Sequence, residues 1–586
     1  MLERDPTCIG NVRHVLGAQV TVALDKELAG IAPIYRGRLQ PIGQIGSLVR
    51  IPQGLVDLIA TVSLVGIAEL SPRPLSATEN FQEGERWLQV ELLGEIGRNS
   101  KRFERGVGVY PSLDDPVHFA TADDLRAVFP SDDENHLQIG RLSAAEEIPV
   151  CLDAERLVIR HSAVVGSTGS GKTSAVASLL QGFVQGGWQG ANIVVVDPHG
   201  EYGQAMGDHG SVRSVLATGS DRLRVPHWAL SAADILQTFA GVAGGAARER
   251  FTELVREQRQ EFVEDSEWLR LDAASVTEDT PVPFDLREVW YQLDHENRKT
   301  VHGNADSDDE ALVSEGDAAT LTSASFEAYG PGSTPPNRAS TYGVYGSTPE
   351  LLRLGLKDPR LQFLLEDSPD PNGADPLHEA MLEWLGTGKP ISILDFSGVP
   401  EDAAELAIGV VMNLLFQAAV RSAPEGPGIG RPDPVQVVLE EAHRYLGDSA
   451  KPMAREAANR IAREGRKYGI GLMLITQRPA ELPDTALAQC GTLIALRLSN
   501  QSDQGKIRAA LPDSVSGLAA ALPSLRTGEA VICGEALVLP ARTLIDCPDP
   551  MPMAEDPSLA PWRDEPSNPD LSTALAAWRG TYEEAK

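Results

Sequence analysis

One octapeptide narrows what this 586-residue chain can fold into more than any other stretch: Gly166-Ser167-Thr168-Gly169-Ser170-Gly171-Lys172-Thr173. It follows the apolar run 163–165 and precedes SAVASLLQGFV, which has helical spacing. The pattern G-x-x-x-x-G-K-[ST] therefore sits in a strand–loop–helix context. Its glycines allow backbone N–H groups to turn inward around phosphates, and the helix start adds the positive end of its dipole. Residues Gly166 to Thr173, with Ser174 behind them, are expected to cradle ATP. Lys172 would reach the β- and γ-phosphates and Thr173 would hold Mg²⁺.

A phosphate loop of this kind needs a parallel sheet, and the sequence supplies one. Near-continuous apolar runs at 163–165, 193–196, 391–394, 435–439, 472–476 and 493–496 alternate with helical segments. Runs apolar on both faces are the mark of strands covered on both sides in an α/β domain. Residues 1–150 read differently. Short Val-, Leu- and Ile-rich runs at 12–24, 46–51, 56–70, 87–93 and 107–110, punctuated by Gly and Pro, suggest a small all-β barrel or sandwich. The expected organisation is an all-β domain over 1–150, an α/β core over 151–244 and 376–547, a helical insertion over 245–375 and a tail over 548–586. Residues 302–349 lack periodicity and read as a partly disordered surface segment whose removal would leave the fold intact. A short helix is expected over 571–582.

Hydrolysis needs acidic partners, and strand ends are where to look for them. The run 435–439 delivers Glu440 and Glu441, followed by Ala442 and His443. Glu440 occupies the place of a Mg²⁺-coordinating carboxylate, one methylene longer than the usual Asp. Glu441 is placed to polarise the attacking water. Asp197-Pro-His-Gly-Glu201-Tyr202 ends another run; Asp197 and Glu201 either touch the cation and water or form an Asp/Gly turn. Gln477, closing the run 472–476, is the candidate γ-phosphate sensor, with Arg478 second.

The formal charge of −32 is unexpected for a nucleic-acid binder. Residues 451–478 reverse it locally, with seven basic residues and two acidic ones. Within that stretch Arg466, flanked by Gly465 and Gly469 as at a helix end, is a candidate to neutralise charge on a neighbouring subunit's phosphoryl group. Arg160, before the phosphate-loop strand, is another; its alternative is a subunit-edge or barrel-facing salt bridge. Five scattered cysteines have no metal-ligand spacing and form no disulfide framework. With no signal peptide and no spanning segment legible, a cytoplasmic protein without membrane attachment is expected. The apolar stretch 406–420 has amphipathic spacing and reads as a core helix.

Taken in order, the stretches IGRLSAAEEIPVCLDAERLVIRHSAVVGSTGSGKTS, VVVDPHGEY, ISILDFSGVP, VVLEEAHRYL, REGRKYGIGLMLITQRP and GEALVLPARTLI resemble the HerA family of the HerA/FtsK superfamily. GSLVRIPQGLVDLIATVSLVG is similar to that family's HAS-barrel. The resemblance implies a RecA-like P-loop ATPase core with an N-terminal β-barrel, a homohexameric ring with double-stranded DNA in its central channel, and ATP sites between subunits. It implies roles for Lys172, Thr173, Glu440, Glu441 and Gln477, with Arg466 and Arg160 reaching across interfaces. It also implies a partner: a NurA-like nuclease in end resection, or a sirtuin-like or nuclease effector in phage defence. An ATP-controlled scaffold that activates such an effector without translocating is the alternative.

Overall fold

The N-terminal strands alternate inward and outward side chains, and a sheet with one apolar face must bury it. Here it closes on itself. In the computed structural model, Cys8–Leu16 (β1), Gln19–Leu24 (β2), Leu48–Gln53 (β3), Val56–Ile67 (β4), Arg86–Gly97 (β5), Phe103–Arg105 (β6) and Pro116–Phe119 (β7) run in the order β2-β1-β7-β3-β4-β5-β6, and β2 also pairs with β5. The result is a closed six-strand antiparallel barrel with β6 as an extra edge. Leu58, Ala60 and Val62 of β4 and Leu88 and Val90 of β5 share its core with Val20 and Val22. The structure describes residues 5–553 except 27, 29–33, 36–37, 40–43, 68–84, 131–133, 218, 243, 331–335, 366–369, 448–449, 451 and 512–515, and beyond them 559, 563 and 570–579.

Two details of the barrel differ from expectation. The run 12–24 is a hairpin turned at Gly17, whose φ of 59° suits the tight reversal. Residues 107–110 form no strand; β6 and β7 flank them instead, and β7 carries Pro116 and His118, which hid it from an apolar-run search. Residues 68–70 of the expected run 56–70 lie outside the described residues.

The α/β core is a sheet of eleven strands. His136–Leu142 (β8), Ala145–Asp153 (β9), Ser162–Val165 (β10), Asn192–Asp197 (β11), Gly210–Ser214 (β12), Ile391–Asp395 (β13), Val435–Leu439 (β14), Ile470–Thr476 (β15), Thr492–Ala495 (β16), Glu529–Gly534 (β17) and Ala541–Ile545 (β18) stand in the order β9-β8-β18-β17-β16-β10-β15-β14-β11-β13-β12. The stretch β16-β10-β15-β14-β11 is parallel throughout. Strands β8 and β9 belong to this sheet, so the all-β domain ends before the expected boundary at 150.

A second compact unit spans residues 213–384 with 395–413 and 555–586, wider than the expected insertion over 245–375. Its helices include Ala232–Ala240, Ala246–Asp265, Leu286–Arg298 and Thr348–Leu356. They gather around buried Trp228, Trp290, Phe251 and Arg259. The stretch 302–349, expected to be partly disordered, is folded wherever it is described. Ala311, Ala318, Leu321, Ala324, Ala339 and Tyr345 are buried. The Trp290 indole donates to the Pro349 carbonyl (2.9 Å), Tyr345 Oη to Glu296 (2.8 Å), and Glu310 pairs with His295 and Lys299. Small side chains and side chain–backbone bonds do here what periodic apolar residues do elsewhere. Replacing 302–349 with a short Gly/Ser linker is therefore expected to expose the helix Leu286–Arg298 to protease and lower the unit's thermal midpoint. An unchanged digestion pattern would restore the dispensable-loop reading.

Glu401–Arg421 is the one helix among the described residues long and apolar enough to cross a membrane, and it is mostly buried in the fold. The tail helix covers Ser572–Arg579, with 580–582 outside the described residues.

Candidate active site

Parallel strands end together, so whatever follows them in sequence converges at one edge of the sheet. Strand β10 runs into the phosphate loop, β15 into Gln477, β14 into Glu440 and Glu441, β11 ends on Asp197, and β16 leads to Arg497. One strand, β15, separates β10 from β14. Gln477 is thereby set between the loop and the glutamates.

The phosphate loop has the backbone its glycines were chosen for. Gly169 and Gly171 hold φ values of 71° and 93°. A Cβ at Gly171 would lie 3.1 Å from the Gly528 nitrogen, whose N–H donates to the Ser170 carbonyl at 3.0 Å. Lys172, Thr173 and Ser174 open the helix Lys172–Gln185. Burial lowers the pKa of Lys172, and Glu440, Glu441 and Glu201 oppose that shift. Three carboxylates thus act on one ammonium group.

Glu441 is held in an uncommon backbone state, with φ at 51°. A non-glycine residue there costs about 1–2 kcal/mol. The residue is 8% exposed. Oε1 accepts from Gln477 Nε2 at 3.0 Å, and Gln477 Oε1 accepts from the Thr168 hydroxyl at 2.7 Å. A continuous chain therefore links the glutamate through Gln477 to the phosphate loop. Oε2 lies 3.2 Å from His443 Nδ1 yet makes no hydrogen bond. His443 Nδ1 is itself 3.1 Å from the Thr476 hydroxyl. Burial lowers the pKa of that imidazole and the neighbouring Glu441 carboxylate opposes the shift. Glu441 Oε2 is left as a buried acceptor with open capacity, which suits a water molecule.

Glu440 meets a different partner. It is 4% exposed, and its Oε2 accepts from the fully buried Tyr202 hydroxyl at 2.6 Å. Burial pushes its carboxyl up to about 8; Tyr202 and Lys172 work against that, Glu441 and Glu201 with it. Asp197, expected among the nucleotide-binding residues, ties a turn instead. Its two oxygens accept the backbone N–H groups of His199 (3.1 Å), Gly200 (2.8 Å) and Tyr202 (3.0 Å). That turn presents Glu201, whose Oε2 accepts from the Thr173 hydroxyl at 3.0 Å.

These groups fit Mg²⁺. Among the described residues no three acidic, His or Cys side chains form a ready-made cage. Mg²⁺ needs none, since it binds through one or two protein oxygens together with substrate phosphates and water. Thr173 supplies such an oxygen, and the Glu201 carboxylate lies beside it. When bound, the ion draws negative charge from the phosphates.

The family model described as "Helicase HerA, central domain" matches residues 137–415, and "Helicase HerA-like C-terminal" matches 409–538. The chain belongs to the HerA family. Among curated relatives, the DNA double-strand break repair helicase HerA of Pyrococcus furiosus is 25% identical over 489 residues, covering 78% of this chain and 76% of that protein. Its counterpart in Sulfolobus acidocaldarius is 25% identical over 453 residues, covering 77% and 76%. A probable helicase of Methanocaldococcus jannaschii is 26% identical over 468 residues and covers 78% of each chain. Of solved structures, VirB4 of Thermoanaerobacter pseudethanolicus aligns with a TM-score of 0.45 at 15% identity, over 71% of this chain and 98% of that one. This HerA-family chain is an ATP-hydrolysing enzyme of the helicase/translocase type.

The HerA-family site also contains residues that sequence reading passed over. Arg497 Nη2 donates to the Gly169 carbonyl at 3.0 Å, and the Thr527 hydroxyl bonds the same oxygen at 3.4 Å. Ser499 N–H donates to Ser167 Oγ at 3.0 Å. Arg497 follows the run 493–496 as Gln477 follows 472–476, so the strand-end argument that found one would have found the other. Thr527 and Tyr202 carry no such signal.

The two candidate interface arginines lie at the opposite, N-terminal ends of β10 and β15. Arg160 pairs with Glu535 at 3.0 Å, which is the salt-bridge alternative. Arg466 sits in the last turn of the helix Pro452–Tyr468, is exposed, and makes no hydrogen bond or ion pair among the described residues. Gly469, with φ at 76°, turns the chain from that helix into β15. Gly465 is not at a helix end. It lies within the helix, where a Cβ would meet the Ile470 carbonyl oxygen at 2.4 Å.

Proposed function

We propose that this protein is the subunit of a homohexameric ring that hydrolyses Mg·ATP between neighbours and so drives double-stranded DNA through a central channel. The observation that carries the ring is Arg466. Four or more strand residues at about 3.3 Å each separate it from the phosphate-loop edge of its own sheet, a distance of about 13 Å or more. An exposed guanidinium without a carboxylate partner at that edge is suited to another subunit's ATP. Arg160 stands at the same edge and would have to exchange Glu535 for that role.

Within one site the residues divide the work. Lys172 and the loop N–H groups hold the β- and γ-phosphates. Glu441 Oε2 accepts a proton from the attacking water, and Gln477 conveys to Glu441 whether the loop is filled. The curated relatives are DNA double-strand break repair helicases by name, which supports DNA as the substrate. The basic stretch 451–478 supports a channel lining, although Lys451 lies outside the described residues. A NurA-like nuclease, or a sirtuin-like or nuclease effector in antiviral defence, is the proposed partner class.

The net charge of −32 favours a second reading, in which the ring is an ATP-controlled scaffold for an effector. Motor action predicts ATP turnover stimulated several-fold by double-stranded DNA, and ATP-dependent displacement of a third strand from a DNA triplex. Triplex left intact by a ring that nevertheless turns over ATP and activates an effector would decide for the scaffold.

A further inference from the structure

The acidic pair at the end of β14 is the obvious place to seek the carboxylate that serves the cation, and the structure points elsewhere. We propose that Glu201, from the turn after β11, is the positioning residue for the Mg²⁺ of bound nucleotide, and that Glu440 is a buried strut held by Tyr202. The inference rests on the reading of this site as a Mg·ATP site.

Three observations carry it. First, the Thr173 hydroxyl has a single proton, and it is directed at Glu201 Oε2, 3.0 Å away. A hydroxyl whose proton is fixed on a carboxylate turns its lone pairs outward, and those lone pairs are what a hard cation takes. Second, Glu440 gives one of its two oxygens to another partner. Its Oε2 receives the Tyr202 proton at 2.6 Å, and Tyr202 is fully buried. The extra methylene of Glu over Asp at position 440 carries the carboxylate to that phenol. Third, one turn organises both contacts. Asp197 takes three backbone N–H groups of residues 199–202 and is fully buried. The other side of the turn is pinned where Met553 N–H donates to the Glu201 carbonyl at 2.9 Å. Glu201 and Tyr202 are consecutive and point to different tasks: one to the metal-binding hydroxyl, the other to the strut.

The test measures metal directly. Mn²⁺ is the probe, its free concentration followed by electron paramagnetic resonance, with full-length protein and saturating ADP so that no turnover occurs. A fluorescent ADP analogue in EDTA gives metal-free nucleotide affinity. Loss of a group that orients a metal ligand costs 10- to 100-fold in metal affinity. That loss is expected for Glu201→Ala, with Glu201→Gln retaining more because its amide oxygen still accepts from Thr173. Glu440→Gln, which keeps the Tyr202 bond, is expected to stay within about threefold of wild type, below the range for such a loss. Metal-free ADP affinity should be unchanged in the position 201 variants, which separates a metal effect from a distorted loop. If Glu201→Ala does not fold, the comparison between the two glutamine variants decides, and the greater loss must fall at 201. Loss at 440 equal to or greater than loss at 201 would overturn the assignment, as would Glu201→Ala protein with wild-type Mn²⁺ affinity. Wild-type protein that takes up no Mn²⁺ with ADP would instead sink the underlying Mg·ATP reading.

Discussion

Protein carrying Arg466→Ala is expected to fold, bind ATP and form rings while its hydrolysis falls by about 10³- to 10⁵-fold, or about 4–7 kcal/mol of transition-state stabilisation. That magnitude separates the two roles open to an exposed arginine. A surface charge contributes about 0–1 kcal/mol to stability and nothing to chemistry. Arg466 has no hydrogen-bond or ion-pair partner among the described residues, so removing it leaves no buried charge behind. A mixing experiment tests whether it acts across an interface. Lys172→Ala subunits lack the ammonium group that holds the phosphates and are expected to be inactive alone. A ring mixed from both variants contains interfaces with an intact Lys172 on one side and an intact Arg466 on the other. Those interfaces should recover turnover, provided that hydrolysis does not require every site in the ring. Turnover unchanged in Arg466→Ala alone would leave the arginine as a channel or surface charge.

The second large effect is at Glu441. Glu441→Gln keeps the side-chain length and can still meet Gln477, but it no longer offers a basic carboxylate at the open Oε2 position. Loss of a general base costs about 10²- to 10⁴-fold. ATP binding should persist, because Lys172 and the phosphate loop are untouched, and the variant should accumulate bound ATP in single-turnover experiments. Because Glu441 holds a positive φ, Glu441→Gly at the same position should preserve the backbone and lose hydrolysis as fully. Near wild-type turnover in Glu441→Gln would remove it from the catalytic role.

Much of this site is legible before any fold is known, for a local reason. A residue that follows an apolar run in a parallel sheet must emerge at the ligand edge, whatever the strand order. Glu441 and Gln477 follow from that rule, and Lys172 from the phosphate-loop octapeptide. The same rule places Glu440 and Asp197 at that edge, but it does not say which neighbour each carboxylate meets. Glu440 accepts from Tyr202, and Asp197 ties its own turn. Neither orientation has a local signature.

The stretch 302–349 illustrates the complementary case. Regular periodicity reveals cores built from helices and strands. Here Ala311, Ala318 and Ala324 are buried among irregular loops tied by side chain–backbone bonds, a pattern with no period to detect.

The sequence by itself determined the phosphate loop, the parallel sheet that supports it, the all-β class of the N-terminus and the position of Glu441 at the strand end, because each depends on residues adjacent along the chain. Tertiary structure alone decided which carboxylate meets the Thr173 hydroxyl, which glutamate Tyr202 holds, and that among the described residues Arg160 has an ion-pair partner while Arg466 has none. Those contacts join residues 28, 238 and 375 positions apart. They follow from the order of strands and the path of turns, which bring distant segments together through packing that no short stretch of sequence records.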